Sequence, residues 1–324
     1  MTLGMRRAWP ALLFALCAAV PLVLTSNYQL GVANLALISL TAVIGLNFIS
    51  GLTGQISFAQ AAFGGIGAYL TTFMLKDGIP FVIAVPAAAL GTGLFSLILG
   101  VPTLRLRRYY LAMATLGFGE IVRLVLTNWV EVTGGSSGIR NVPPISFAGF
   151  SVQGNVQHFY FFIVVITVAI IVAARIGRSS FGRAMVATRD SEIAAQTLGI
   201  NTVRVKLFAF FLSAVFASVG GGLYASYSGY ISPDQFSNQS SLLYFTMLIV
   251  GGSGSIAGTV LGTILLSILP EALRFLGEWY LIIYGCAVII FIVAVPEGLI
   301  GLCRMVKQLV EDFILTRQLP AKDQ

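Results

Sequence analysis

Charge is scarce in this chain: 10% of its 324 residues are Asp, Glu, Lys or Arg, against about 25% in soluble domains. The charged surface of a soluble enzyme is missing, and 57% of the residues are apolar. Histidine occurs once, at His158, and "HExxH" not at all, so no imidazole pair exists for a zinc or di-iron site. No lysine follows a glycine, which excludes "GxxxxGK[ST]" and with it a nucleotide-binding P-loop in this chain. Cys17, Cys286 and Cys303 lie in or beside apolar runs without paired spacing. They read as packing residues, not as a disulfide framework or a metal site. Serine is common, but no base accompanies it, so a membrane-embedded hydrolase has little support.

What is present is apolar length. The mean hydropathy is +0.92, and at about 20 apolar residues per crossing the composition supplies about eight to ten helical spans. The runs are too continuous for the alternating strands of an outer-membrane barrel. The expected fold is an all-α polytopic membrane protein, with helices near 8–25, 30–50, 56–75, 79–101, 109–128, 159–174, 207–228 and 279–295. Residues 8–25 read as a retained first helix, although Arg6 and Arg7 before them also fit a signal peptide.

Between Phe236 and Pro270 an apolar stretch is cut by "GGSGSIAG". It either crosses once or forms a hairpin of two short helices turning at Gly251, Gly252, Gly254 and Gly258. Basic residues favour cytoplasmic loops, and the hairpin puts all 19 Lys and Arg there except Lys76, Arg123, Arg140 and Arg274. The net charge of +7 thus reflects membrane topology and not a nucleic-acid partner. The expectation is ten transmembrane or re-entrant helices with both termini cytoplasmic. They form one domain over 1–324, with a cytoplasmic loop at 175–206, an extracytoplasmic loop at 129–158 and a cytoplasmic tail at 302–324. The glycine-rich segments 51–67 and 251–262 each lead into an apolar helix, a pattern compatible with two internal halves.

Ionisable residues inside membrane helices are costly and mark functional sites or ion pairs. Glu120 and Arg123, in "ATLGFGEIVRLVLTNW", stand on one helix face and neutralise each other. They either fix helix packing or take part in a pathway. In "GLTGQISFAQAAFGGIGAY" the residues Gly51, Gly54, Gln55, Ser57, Gln60 and Gly64 interrupt apolar sequence. Such positions serve close helix packing, or an unwound backbone that meets a polar solute. Gln60, Gly64 and Gly67 share a helical stripe, as do Gln55 and Ala59. In the inner loop Asp190 is the expected N-cap of a short helix that Glu192 supports and Gly199 ends. Its stripe of Ile193, Ala194, Thr197 and Leu198 fits the groove of a partner protein or the lipid interface.

The segments "GLTGQISFAQAAFGGIGAY", "YYLAMATLGFGEIVRLVLTNW" with "TGGSSGI", "RDSEIAAQTLGI" and "GGSGSIAGTVLG" resemble the permease subunits of branched-chain amino-acid ABC importers. The resemblance runs from about residue 30 to 300 and is closest to the M-type subunit. It implies a transport subunit of the bacterial cytoplasmic membrane that is not itself an enzyme and binds no cofactor. The partners it implies are a homologous second permease, an extracytoplasmic binding protein and two cytoplasmic ATPase subunits that use ATP and Mg. The family's coupling loop carries E-A-A, then three residues, then Gly. Ala194, Ala195 and Gly199 match, while Ile193 stands at the acidic position and Glu192 one residue earlier. The resemblance assigns Asp190, Glu192, Ile193, Ala194, Ala195, Leu198 and Gly199 to ATPase coupling. Related permeases imply urea, short amides or another small polar solute as the alternative cargo. An ion-coupled carrier is disfavoured, because Glu120 is the one acidic residue well inside a helix and Arg123 neutralises it.

Overall fold

The computed structural model describes residues 26–103, 108–147, 150–295 and 298–302. The helix expected at 8–25, Cys17, Cys303 and the tail beyond 302 lie outside the described residues. Among the described residues five helices are long and apolar enough to cross a membrane, and every long described element is helical.

The principal helices are α1 (Asn27–Leu46), α2 (Gln60–Lys76), α3 (Phe81–Thr103), α4 (Arg108–Asn128), α5 (Gly154–Arg178), α6 (Ser180–Asp190), α7 (Glu192–Thr197), α8 (Thr202–Ser228), α9 (Asn238–Gly251), α10 (Ile256–Ala272) and α11 (Tyr280–Ala294). Two are central: 78% of the α1 span and 67% of the α8 span are buried, against 28% to 39% for α3, α4 and α5. The outer helices turn apolar residues away from the bundle, as Ile83, Leu90, Leu94 and Ile98 do on α3. Polar residues such as Asn34, Thr41, Gln60, Thr71 and Ser213 are buried inside. Apolar-out and polar-in is what a lipid environment selects, since lipid tails are as apolar as leucine and do not drive apolar side chains inward.

Close packing at the centre depends on the triplet Gly220, Gly221 and Gly222 of α8. A Cβ on Gly221 would overlap the Gly64 carbonyl of α2, and one on Gly220 would lie 2.6 Å from the Thr41 hydroxyl of α1. α9 and α10 form an antiparallel hairpin, and a Cβ on Gly251 would overlap the Gly258 carbonyl. The turn itself is Gly252 to Ser255, where Gly252 and Gly254 have positive φ. Gly251 and Gly258, expected as turn residues, are instead helical positions where the two backbones touch, because glycines there remove the side chains that would separate them.

The expected helix at 56–75 begins only at Gln60. α1 widens into a π-helical turn at Asn47–Leu52, and residues 53–59 are not helical. Gln55 and Ala59 therefore share no helical stripe. Side chains take over from the missing helical ladder: Phe58 N–H donates to Thr115 Oγ1 at 3.0 Å and Ala61 N–H to Ser241 Oγ at 3.0 Å.

The loop expected over 129–158 is folded: Ile139–Arg140 pairs antiparallel with Tyr230–Ile231, and Ser146–Phe147 with Phe150–Ser151. α5 begins at Gly154, so His158 is helical and buried, with Nδ1 2.8 Å from the Gly154 carbonyl and the Tyr227 ring beside it. Cys286 is exposed on α11, not a packing residue, because α11 packs through other faces.

Arg274 donates to the Tyr28 hydroxyl, which also bonds Glu271, at the start of α1. Arg189 donates to Gly51, just past the other end of α1. The bundle therefore separates Arg274 from the basic loop 175–206.

The contacts around Gly221 yield a stability test. Gly221→Leu should lower the melting temperature of the purified chain by about 5 °C or more through overpacking. Gly285→Leu, where a Cβ meets nothing within 4 Å, should leave it unchanged. Dye-monitored thermal unfolding in detergent compares the two.

Candidate functional site

A cavity of about 270 Å³ lies between α1, α2, α8 and the start of α9. α1 contributes Leu35, Ile38, Ser39 and Ala42, and α8 contributes Ala217, Gly220, Gly221 and Tyr224, each set following the i, i+3, i+4, i+7 rhythm of one helix face. α2 adds Gln60, Ala61 and Gly64, the segment entering α9 adds Gln235 and Phe236, and α9 itself adds Tyr244. Every side chain on this wall is neutral. Gln60 is 1% exposed. Its amide donates to the Ala42 carbonyl at 2.6 Å and accepts from Ser213 Oγ at 2.7 Å, tying α2 to α1 and α8. A buried amide satisfied on both sides is rigid and costly to displace. Ser39 of α1 and Tyr244 of α9 both line this cavity.

Of the expected pathway residues, the structure brings Gln60 and Gly64 to this cavity. Gly51 and Gly54 lie in and just beyond the π-turn, where they meet Gly254 and Arg189. Gln55 donates to Thr53 Oγ1 at 3.0 Å, and Ser57 is buried, its Oγ accepting from Ala59 N–H at 3.4 Å. A second cavity, of about 360 Å³, lies on the opposite flank of α1 between Asn47, Phe48, Arg178 and the turn at Gly254.

Glu120 and Arg123 do pair, at 2.6 Å between Nη2 and Oε1, with side chains 41% and 28% exposed. The pair does not line the cavity. Asp234 lies 3.5 Å from Arg123, and Asn238 Nδ2 donates to Glu120 Oε2 at 3.4 Å. The segment 234–238 thus turns Asp234 and Asn238 to the ion pair, and Gln235 and Phe236 to the cavity. An ionic group this open on a spanning helix faces protein or water in the working molecule, because lipid does not solvate it.

At the other end α7 stands on the surface. Its N-cap is Ser191, whose Oγ accepts from Ala194 N–H at 3.3 Å. Asp190, expected in that place, is the last residue of α6. The extended backbone of Ser191 ends α6 and starts α7 at once, leaving Asp190 beside Arg189. Gly199 takes a positive φ of 80° after the helix. Gly199 N–H donates to Gln196 and Ile200 N–H to Ala195, the paired bonds of a Schellman cap. Ala195 is buried against the bundle, while Ile193 and Leu198 are 78% and 79% exposed and Ala194 is exposed with them. Glu192 is held within the chain by Lys206 Nζ at 2.5 Å.

Sequence reasoning missed Ser39, Asn47, Arg189, Ser213, Tyr224, Ser241 and Tyr244. Isolated hydroxyls in apolar runs carry no signal for the face they occupy. Arg189 counted only as one more cytoplasmic charge.

A membrane-embedded helical bundle with broken backbone beside a neutral interior cavity defines the chain as a polytopic transport-type membrane protein. The chain belongs to the permease-component family of branched-chain amino acid transport systems, whose family model matches residues 28–293. It is 33% identical to the high-affinity branched-chain amino acid transport system permease protein LivM of Escherichia coli K12 over 90% of this chain and 74% of that one. The Salmonella typhimurium LivM protein is 32% identical over 87% and 72%. The Escherichia coli K12 permease protein LivH is 28% identical over 80% of this chain and 89% of its own length. No solved structure matches the chain.

Gly64 separates folding from passage. A Cβ there meets only ordinary contacts, 3.6 Å from the Ala217 carbonyl and 3.8 Å from Phe236. Gly64→Leu should therefore fold and assemble normally while filling the cavity, and solute uptake should fall about tenfold or more. Uptake at the wild-type rate in correctly assembled protein would remove the cavity from the pathway.

Proposed function

We propose that this chain is a membrane-spanning subunit of an ATP-driven importer that carries leucine, isoleucine and valine across the bacterial cytoplasmic membrane. It works with a homologous second permease, two cytoplasmic ATPase subunits and an extracytoplasmic binding protein. The observation that carries the reading is α7: a chain with no P-loop presents a short, doubly capped helix whose Ile193 and Leu198 are almost fully exposed. An apolar helix face of this kind fits a groove in another protein. LivM and LivH are two differently named permease proteins, and similarity to both supports a paired permease.

In this reading nine described helical segments and the segment 8–25 make ten crossings with both termini cytoplasmic. α7 lies on the cytoplasmic side, and the folded segment 129–153 faces the binding protein. ATP binding closes the ATPase pair, displaces α7 and switches access to the cavity, biasing the two states by the contacts each one makes. The neutral cavity wall suits an apolar side chain. The positive end of α2, at Gln60, favours the solute's carboxylate. Glu120, Arg123, Asp234 and Asn238 form a polar patch facing the partner permease or the aqueous route.

Docking is tested by Ile193→Asp with Leu198→Asp, which alter exposed residues only. Recovery of the ATPase subunits with the permease should drop about tenfold or more, as expected when central apolar contacts are lost, with recovery of the partner permease unchanged. Normal ATPase recovery would refute docking through this face.

Transport is tested with labelled leucine in proteoliposomes holding both permeases and the ATPase pair, with binding protein on the outside. Uptake should require ATP and be suppressed by excess valine but not by urea. Suppression by urea would move the cargo to amides, and gradient-driven uptake by this chain alone would overturn the class.

A further inference from the structure

We propose that Arg189 is the joint between the docking helix and the interrupted backbone of 47–59, a positioning residue for transport. The proposal rests on reading α7 as the ATPase-docking helix and extends it to the path by which motion leaves that helix. Arg189 is the second-last residue of α6, and the single extended residue Ser191 separates α6 from α7. Its Nη1 donates to the Gly51 carbonyl in the π-turn at 2.9 Å. Its stem lies on Gly54, where a Cβ would stand 2.6 Å from Arg189 Cγ. The same Nη1 would be 2.9 Å from a Cβ on Gly254, in the α9–α10 turn. Gly254 N–H in turn donates to Asn47 Oδ1 at 2.8 Å. One side chain therefore touches the π-turn, the stretch after it and the hairpin turn together.

This arrangement gives the glycines of both segments one purpose. Gly54 and Gly254 leave no side chain between Arg189 and the backbone, while at Gly51 a Cβ would overlap Asn47 Oδ1 and the Gly254 nitrogen, so its absence lets the hairpin turn close on the π-turn and the arginine hold the main chain itself. π-turns recur at functional positions, and this one ends α1 where the backbone is interrupted. Movement of α6 and α7 is transmitted through Arg189 to residues 51–54. The backbone leads from there through 55–59 to Gln60, at the cavity. A switch needs contacts that differ between its states, and the Arg189–Gly51 bond is one that a shift of α6 makes or breaks.

Arg189→Ala tests the joint in the full complex, reconstituted with both permeases, the ATPase pair and binding protein. The variant should retain its partners and hydrolyse ATP within about twofold of wild type, while leucine moved per ATP falls about tenfold or more, a coupling loss of the size single contacts carry. An unchanged leucine-to-ATP ratio would overturn the proposal. So would loss of the ATPase subunits from this variant, since Arg189 would then belong to the docking surface. The docking reading fails separately, through normal ATPase recovery by the Ile193 and Leu198 variant. If the Arg189→Ala chain does not fold, hydrogen exchange in the wild-type complex decides. Amides of residues 53–58 should change exchange rate about threefold or more when a non-hydrolysable ATP analogue binds, as local opening free energies shift, and unchanged rates would overturn the joint.

Discussion

The structure depends on how a broken backbone is satisfied within a bundle of membrane helices. Each unpaired N–H or C=O in a bilayer costs several kcal/mol, which is why spanning segments are normally uninterrupted helices. Residues 47–59 depart from that rule, and specific side chains take over the bonds the helix would have made. Thr115 and Ser241 accept from Phe58 and Ala61, Arg189 donates to Gly51, and the Gln60 amide takes the Ala42 carbonyl. Helices α1, α4, α6, α8 and α9 are thereby tied to one short stretch of chain. The cavity forms where that stretch becomes helical again.

Glycine supplies the other half of the arrangement. Gly221 against Gly64, and Gly251 against Gly258, bring backbones into contact and set the spacing of the central helices. Where Gly64 faces the cavity it leaves space instead, so one residue type closes the bundle on one side of α2 and opens it on another. At the end of the bundle opposite Arg274, Ser191 and the Gly199 cap isolate α7 as a separate short rod. Ala195 holds that rod to the bundle and Ile193 and Leu198 face outward. Orientation of the helix thus decides which of its four apolar positions remain for a partner.

Much of this was legible in the residues. Long apolar runs with few charges dictate helices, and the described helices fall where the runs do, with ends moved by up to five residues, as where the Asn201 cap starts α8 at Thr202 and α5 begins at Gly154. The i, i+3 spacing of Glu120 and Arg123 and the left-handed role of Gly199 follow from helix geometry alone. Gln60 was recognisable as polar in apolar surroundings, but its partner Ser213 lies 153 positions away, and no local pattern links the two. Asp190 and Ser191 are both good N-caps, and only the end of α6 distinguishes them. The helix expected through 56–59 failed for a related reason, since its interruption is stabilised by hydroxyls on α4 and α9 that a local reading does not see.

The sequence by itself determined that the chain is a bundle of membrane helices and that its family is one of branched-chain amino-acid permeases. Those properties follow from composition, charge placement and short motifs, which act locally. Tertiary structure alone decided which polar groups meet, because burial forces each one to find a partner and the partner is set by helix packing. It placed the Gly51 and Gly254 segments against each other under Arg189, put Gln60 and Gly64 on a cavity, and kept Glu120 and Arg123 away from it.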